Sequence, residues 1–276
     1  MKKIHLLFAV ISILATSCKK EDHADHTSDI DPNRSGYIRI EFDNKVGDLG
    51  LVLDSPFYTN SFGQNYAISK FDYFISNIVF VNADGSKYVV PQDSSYFLIK
   101  ESNSNSWEVK LKVPEGNYVG LNFMIGIDSL RNTKPISERQ GVLDISGEAA
   151  SMYWTWNSGY IFLKMEGTYD DPNDSVFTRS PLTYHIGGYG GYTSPTINNI
   201  KNVSLAFGSE SAQVRAAYGD DGVMVHLNVD ASKVIDGSTK IDFNTHSFVM
   251  FTPYSVNIAN NYASMFSIDH IHNHEH

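Results

Sequence analysis

Cysteine is nearly absent: Cys18 stands alone among 276 residues, which excludes an internal disulfide framework and a CxxC redox pair. Basic residues are in deficit too. Twenty-one Lys and Arg against 31 Asp and Glu leave a formal net charge of -10, and such a surface repels polyphosphate backbones, so nucleic acid is not an expected partner. The common enzyme signatures are missing as well. His185-Ile186-Gly187-Gly188-Tyr189-Gly190-Gly191 is glycine-rich but has neither GxGxxG spacing nor a GK[ST] ending, and there is no GxSxG elbow or HExxH pair. Asp29-Ile30-Asp31-Pro32-Asn33 fails as a calcium loop, because Pro32 breaks the pattern and Ile40 sits where the bidentate Glu is required. Asp170, Asp171 and Asp174 around Pro172 read as a solvated turn. With no acid, base or nucleophile constellation, the expectation is a protein that binds without catalysing.

Long apolar runs are lacking except at the N-terminus. Met1-Lys2-Lys3 is a basic lead, Leu6 to Ala15 an apolar stretch of signal-peptide length, and Ala15-Thr16-Ser17-Cys18 a small-residue run ending on the cysteine. That pattern resembles a bacterial lipobox. It implies a lipoprotein signal peptide over 1–17 and a lipid anchor at Cys18 without a spanning helix. Residues 18–35 are polar and poor in core formers, and read as a flexible tether. The charged Lys19-Lys20-Glu21-Asp22 run resembles surface-export signals of Bacteroidetes lipoproteins, which places the protein on the outer membrane, on its periplasmic or surface-exposed face.

From Gly36 onward the dominant period is two. Tyr37-Ile38-Arg39-Ile40-Glu41-Phe42 alternates cleanly, and Ala83-Asp84-Gly85-Ser86 between two apolar runs is a hairpin signal. Further strands are expected over 95–99, 106–113, 118–127, 160–167, 182–186, 202–207, 223–229 and 241–244. Helix is scarce, and the best candidate covers 256–266. The reading is all-β: one antiparallel β-sandwich with few short helices over 36–276.

Histidine is the informative residue type. His270, His272, His274 and His276 crowd the last seven positions, and either an extended or a helical ending sets two imidazoles on one face. Imidazoles suit copper and zinc. His185 and His246 adjoin turn segments where ligands from different strands converge. His226, alone within a strand, reads as a packed or hydrogen-bonded residue.

Met152-Tyr153-Trp154-Thr155-Trp156-Asn157-Ser158-Gly159-Tyr160-Ile161-Phe162 places two of the three tryptophans one residue apart in a polar setting. Together with Tyr37 to Phe42 followed by Val46-Gly47, Phe71 to Ile78 with its Asp84-Gly85 turn, and His185-Ile186-Gly187, this element resembles the MbnP-like family of copper-binding proteins. The resemblance spans most of the chain. It implies copper held by histidines together with a tryptophan oxidised to kynurenine, the oxidation being the work of a partner di-haem protein of the cytochrome c peroxidase type. Trp154 and Trp156 are then the modification candidates, which spacing does not separate, and His185 is a candidate ligand. Asn44 stands where some relatives carry a first-strand histidine, so His270 and His272, with His246, are the candidates to replace it. The expected function is copper capture, storage or handover at the cell envelope. The alternative is a sugar- or peptide-binding surface lipoprotein in which Trp154, Trp156 and Tyr160 form an aromatic platform.

Overall fold

The computed structural model describes residues 30–55, 57–155, 157–170 and 179–274. Cys18, the signal peptide, most of the tether, Trp156, Asp171, Asp174 and His276 lie outside them. Asp31–His276 form one compact unit. It begins a few residues before the expected boundary, because Glu115 gathers the lead-in: its carboxylate accepts from the Asp31 backbone N–H at 3.0 Å and pairs with Arg34 at 3.2 Å.

Two sheets make the sandwich. The smaller runs in the order Phe266–His272, Val223–Asp230, Ser35–Val46, Leu49–Gly50, with Glu108–Pro114 also paired to Ser35–Val46. The larger is built around the long strand Asn65–Asn82: Gly159–Tyr169 and Gly116–Ile125 pair with successive stretches of one edge, Tyr96–Lys100 pairs with the other, and Ser180–Gly187 lies beyond Gly159–Tyr169. Most pairings are antiparallel as expected. Two are parallel: Ser35–Val46 with Val223–Asp230, and Ser180–Gly187 with Phe248–Val249.

Alternation decides the small sheet. Ile38, Ile40 and Phe42 on one strand and Val223, Val225, Leu227 and Val229 on its neighbour are buried, while the residues between them face outward. The buried set meets the large sheet through Phe42 and Tyr73, with ring centroids 6.3 Å apart and edge to face. Strand Asn65–Asn82 is apolar on both sides because both are covered. Tyr73 and Ile75 belong to the inter-sheet core, whereas Phe74 joins Tyr160, Phe162, Leu98 and Met152 in a second core beneath the 127–155 segment.

Local chemistry explains the remaining elements. The Asp84-Gly85 hairpin forms as expected, with Gly85 at φ 83° and the Asp84 carboxylate accepting from the Ser86 N–H at 2.8 Å. The expected helix is shorter, Ser255–Tyr262, burying Ile258, Ala259 and Tyr262, and Phe266 already belongs to the terminal strand. The strand expected over 241–244 is instead a one-turn helix, Phe243–His246. Asp242 caps it, accepting from Asn244 N–H at 3.0 Å. No described helix is long and apolar enough to cross a membrane.

Candidate metal centre

The C-terminal histidines are extended, not helical. Strand Phe266–His272 lies antiparallel along Val223–Asp230, pairing Val229 with Phe266, Asn228 with Ser267 and Leu227 with Ile268. The register then shifts: His226 pairs with His270, Val225 with Ile271 and Met224 with His272, so Asp269 is one residue too many. That bulge reverses the phase of the strand. Ile271 turns inward and is buried, and His270 and His272 turn outward onto the face that already carries His226.

The outcome is a cluster of three imidazoles. Candidate ligand atoms of His226, His270 and His272 all lie within 4.8 Å of one another, the one such group of three His, Cys, Asp or Glu among the described residues. The rings of His226 and His270 stack at 4.1 Å and 12°, and His272 lies 6.4 Å from the first and 6.2 Å from the second, tilted to both. His226 is half-buried, and His270 and His272 are exposed.

Carboxylates hold two of the three rings from behind. Nδ1 of His226 meets Glu41, its register neighbour on the adjacent strand, and Nδ1 of His270 meets Asp269 at 2.8 Å. Asn228 donates to the other Asp269 oxygen at 2.9 Å. The His270 hydrogen bond, and after it the one from Asn228, hold the Asp269 carboxyl below its ordinary range. Engaging Nδ1 leaves Nε2 as the nitrogen available to an ion, the orientation that a second-shell carboxylate imposes on metal-binding histidines. Nitrogens on a tetrahedral ion with bonds of about 2.0–2.1 Å stand about 3.4 Å apart, closer than the 4.8 Å within which the three candidate atoms lie, so sharing one ion requires the rings to draw together. Three imidazoles on an open face fit a copper or zinc ion.

The other expected ligands lie elsewhere. His185 is on the large sheet, facing away from the inter-sheet core, with Nε2 2.7 Å from Glu166. Burial lowers its pKa, and the Glu166 hydrogen bond partly opposes this. It stands in a row of charged residues: Lys164 is its register neighbour, and Asp72 is next on the far side. Asp72 is 4% exposed, with one carboxylate oxygen unpaired, and burial raises its pKa. His246 ends its short helix, its ring stacked on Tyr254 at 3.5 Å. Neither is brought to His270 and His272.

Trp154 is half-buried, edge to face with Phe251 at 5.8 Å. It rests over Gly187, where a Cβ would come within 2.9 Å of its six-membered ring. It therefore lies near the strand that carries His185 and is packed against neighbours. Trp156 is outside the described residues.

His226 is the member of the cluster that sequence reasoning assigned to packing. Its partners are 44 and 46 positions away (His270 and His272), and only the strand pairing joins them.

A solved structure, MbnP from Methylosinus trichosporium, is 16% identical over 75% of this chain and 80% of its own, with a TM-score of 0.49. No curated protein matches. The MbnP family model matches residues 35–255, which takes in His226 and both tryptophans and stops short of His270 and His272, and by that match the chain belongs to the MbnP family.

Proposed function

We propose that this chain is a copper-binding protein of the cell envelope that captures, stores or hands over the ion on His226, His270 and His272, without catalysis. The observation that carries the reading is the convergence of three imidazoles on one outward face, two of them with Nδ1 on a carboxylate. Family membership supports copper as the ion. The exposure of His270 and His272 on the edge strand suits exchange better than deep storage, because an acceptor can reach the ion directly.

A lipid on Cys18 would hold the domain at the outer membrane. Oxidation of Trp154 or Trp156 to kynurenine by a di-haem partner would be a separate feature of the large-sheet face. The aromatic-platform alternative needs an indole laid open to a ligand, and Trp154 is instead packed on Phe251 and Gly187.

The test is copper stoichiometry and affinity of the purified chain by metal analysis and chelator competition, with His226→Ala and the His270→Ala/His272→Ala pair alongside. One ion lost in both variants is expected, and unchanged binding in both refutes the site. Intact mass of protein from its native host tests the tryptophan oxidation independently.

A further inference from the structure

The outward face beside the cluster has a fourth corner, and it is a methionine. Strand pairing sets His226 opposite His270 and Met224 opposite His272, so these four side chains occupy the corners of one square on two adjacent strands. Directly opposed side chains on neighbouring strands stand about 4.5–5.5 Å apart at Cβ, within reach of one shared ion for residues as long as His and Met. Met224, His226 and His272 line the same surface concavity, at the end of the sheet where Gly222 and Asp221 turn the chain. Met224 is half-buried on the solvent face, where it packs into neither hydrophobic core.

The fourth edge of the square is electrostatically quiet. Arg39 is the register neighbour of Met224 on the far side, and its guanidinium is bound to the Glu108 carboxylate, Nε to Oε1 at 2.8 Å. A cation at the centre of the square thus faces a paired guanidinium, with the carboxylates of Glu41 and Asp269 behind two of its ligands.

We propose that Met224 supplies a thioether to the same ion, making a three-histidine, one-methionine set that selects cuprous copper. The proposal rests on the copper reading above and names the form of the cargo. A thioether is a soft, uncharged donor: it binds Cu(I) well and contributes little to Zn(II), whose sites use imidazole, thiolate and carboxylate. Three imidazoles alone serve both ions, so the methionine is the discriminating corner.

The experiment uses the purified chain loaded anaerobically with Cu(I) under ascorbate, and separately with Zn(II), in the wild type and in Met224→Leu. The leucine preserves volume, so packing tolerates it. X-ray absorption of the Cu(I) form should show a sulfur scatterer that vanishes in Met224→Leu. Cu(I) affinity against a cuprous chelator should fall at least about tenfold, the scale at which metal sites respond to loss of a supporting group, while Zn(II) affinity stays within about twofold. A wild-type Cu(I) spectrum without sulfur, or a leucine variant with unchanged Cu(I) affinity, overturns the proposal and leaves the three-histidine site standing. Failure of the wild type to bind copper at all overturns the copper reading and this proposal with it.

Discussion

Phe266 opens the terminal strand and fastens it to the sandwich, so its removal tests whether the metal site depends on docking of that strand. The ring is 7% exposed and lies edge to face with Phe123 at 4.9 Å, Tyr73 at 5.8 Å and Phe42 at 6.4 Å. Phe266→Ala takes away all three pairs together with the buried area, a loss of about 3–5 kcal/mol. In a domain of this size each kcal/mol moves Tm by roughly 2–4 °C, so a fall of about 6–20 °C is expected. Phe62→Ala is the control: the ring is 53% exposed, and substitutions at such surface positions fall within about 0.5 kcal/mol. Differential scanning fluorimetry reads both, with and without copper. At a free concentration about 100-fold above Kd, an ion that binds only the folded chain adds about 2.7 kcal/mol, or roughly 5–11 °C in the wild type. In Phe266→Ala the affinity itself should weaken, because His270 and His272 leave with a loosened strand. A Tm loss under about 3 °C would show that the ring does not carry the docking. A large Tm loss with wild-type copper affinity would show that the strand holds its place without it.

Glu41→Gln and Asp269→Asn each remove a carboxylate behind a ligand ring and should weaken copper binding about 10–100-fold with the fold intact, read by chelator competition. His185→Ala and His246→Ala should leave the stoichiometry of the three-histidine site unchanged, since neither ring reaches it; metal analysis decides. Asp72→Asn should raise Tm at pH 7. Burial lifts the folded carboxyl above its ordinary 3.8, so between those two values the native chain holds the extra proton and stability falls as pH rises through that window. The asparagine has no such loss, so its advantage should shrink to nothing below pH 3.8, and a lower Tm than wild type at pH 7 refutes the account. Gly187→Ala places a Cβ 2.3 Å from the Tyr160 carbonyl and 2.9 Å from Trp154, and chemical denaturation should show a loss of about 1–3 kcal/mol.

Strands covered on one face announce themselves in sequence, and strands covered on both do not. Ser35–Val46 and Val223–Asp230 alternate because solvent meets one side only, and they fall close to where the period of two places them. Asn65–Asn82 lost its alternation because Tyr73 and Phe74 enter different cores. The 241–244 error has a single cause: Ile241 and Phe243 have strand spacing, yet Asp242 between them is a capping residue that closes a helical turn. The histidine pair His270 and His272 was visible as a pair because spacing of two survives in a strand. His226 was not, since its role depends on a non-local pairing and a lone strand histidine looks the same whether it packs or ligates. Separating His185 and His246 from the cluster likewise needed the sheet assignment, which spacing does not encode.

The bulge at Asp269 shows how register and site arise from the same residue. Simple alternation from Phe266 would send Ile268, His270 and His272 inward and leave Ile271 in water. Burying Ile271 is worth about 1.5–3 kcal/mol, and imidazoles turned inward against Val225 and Val223 would each lose hydrogen bonds worth at least about 1 kcal/mol. The unpaired backbone of one bulged residue costs about one such bond, so the shifted register wins. The residue expelled from the ladder is an aspartate. Standing outward beside His270, it takes that ring's Nδ1 at 2.8 Å and is itself held by Asn228. The insertion that buries Ile271 therefore also supplies the carboxylate that holds the His270 ring, and the apolar demand of the core sets the geometry of the histidine face.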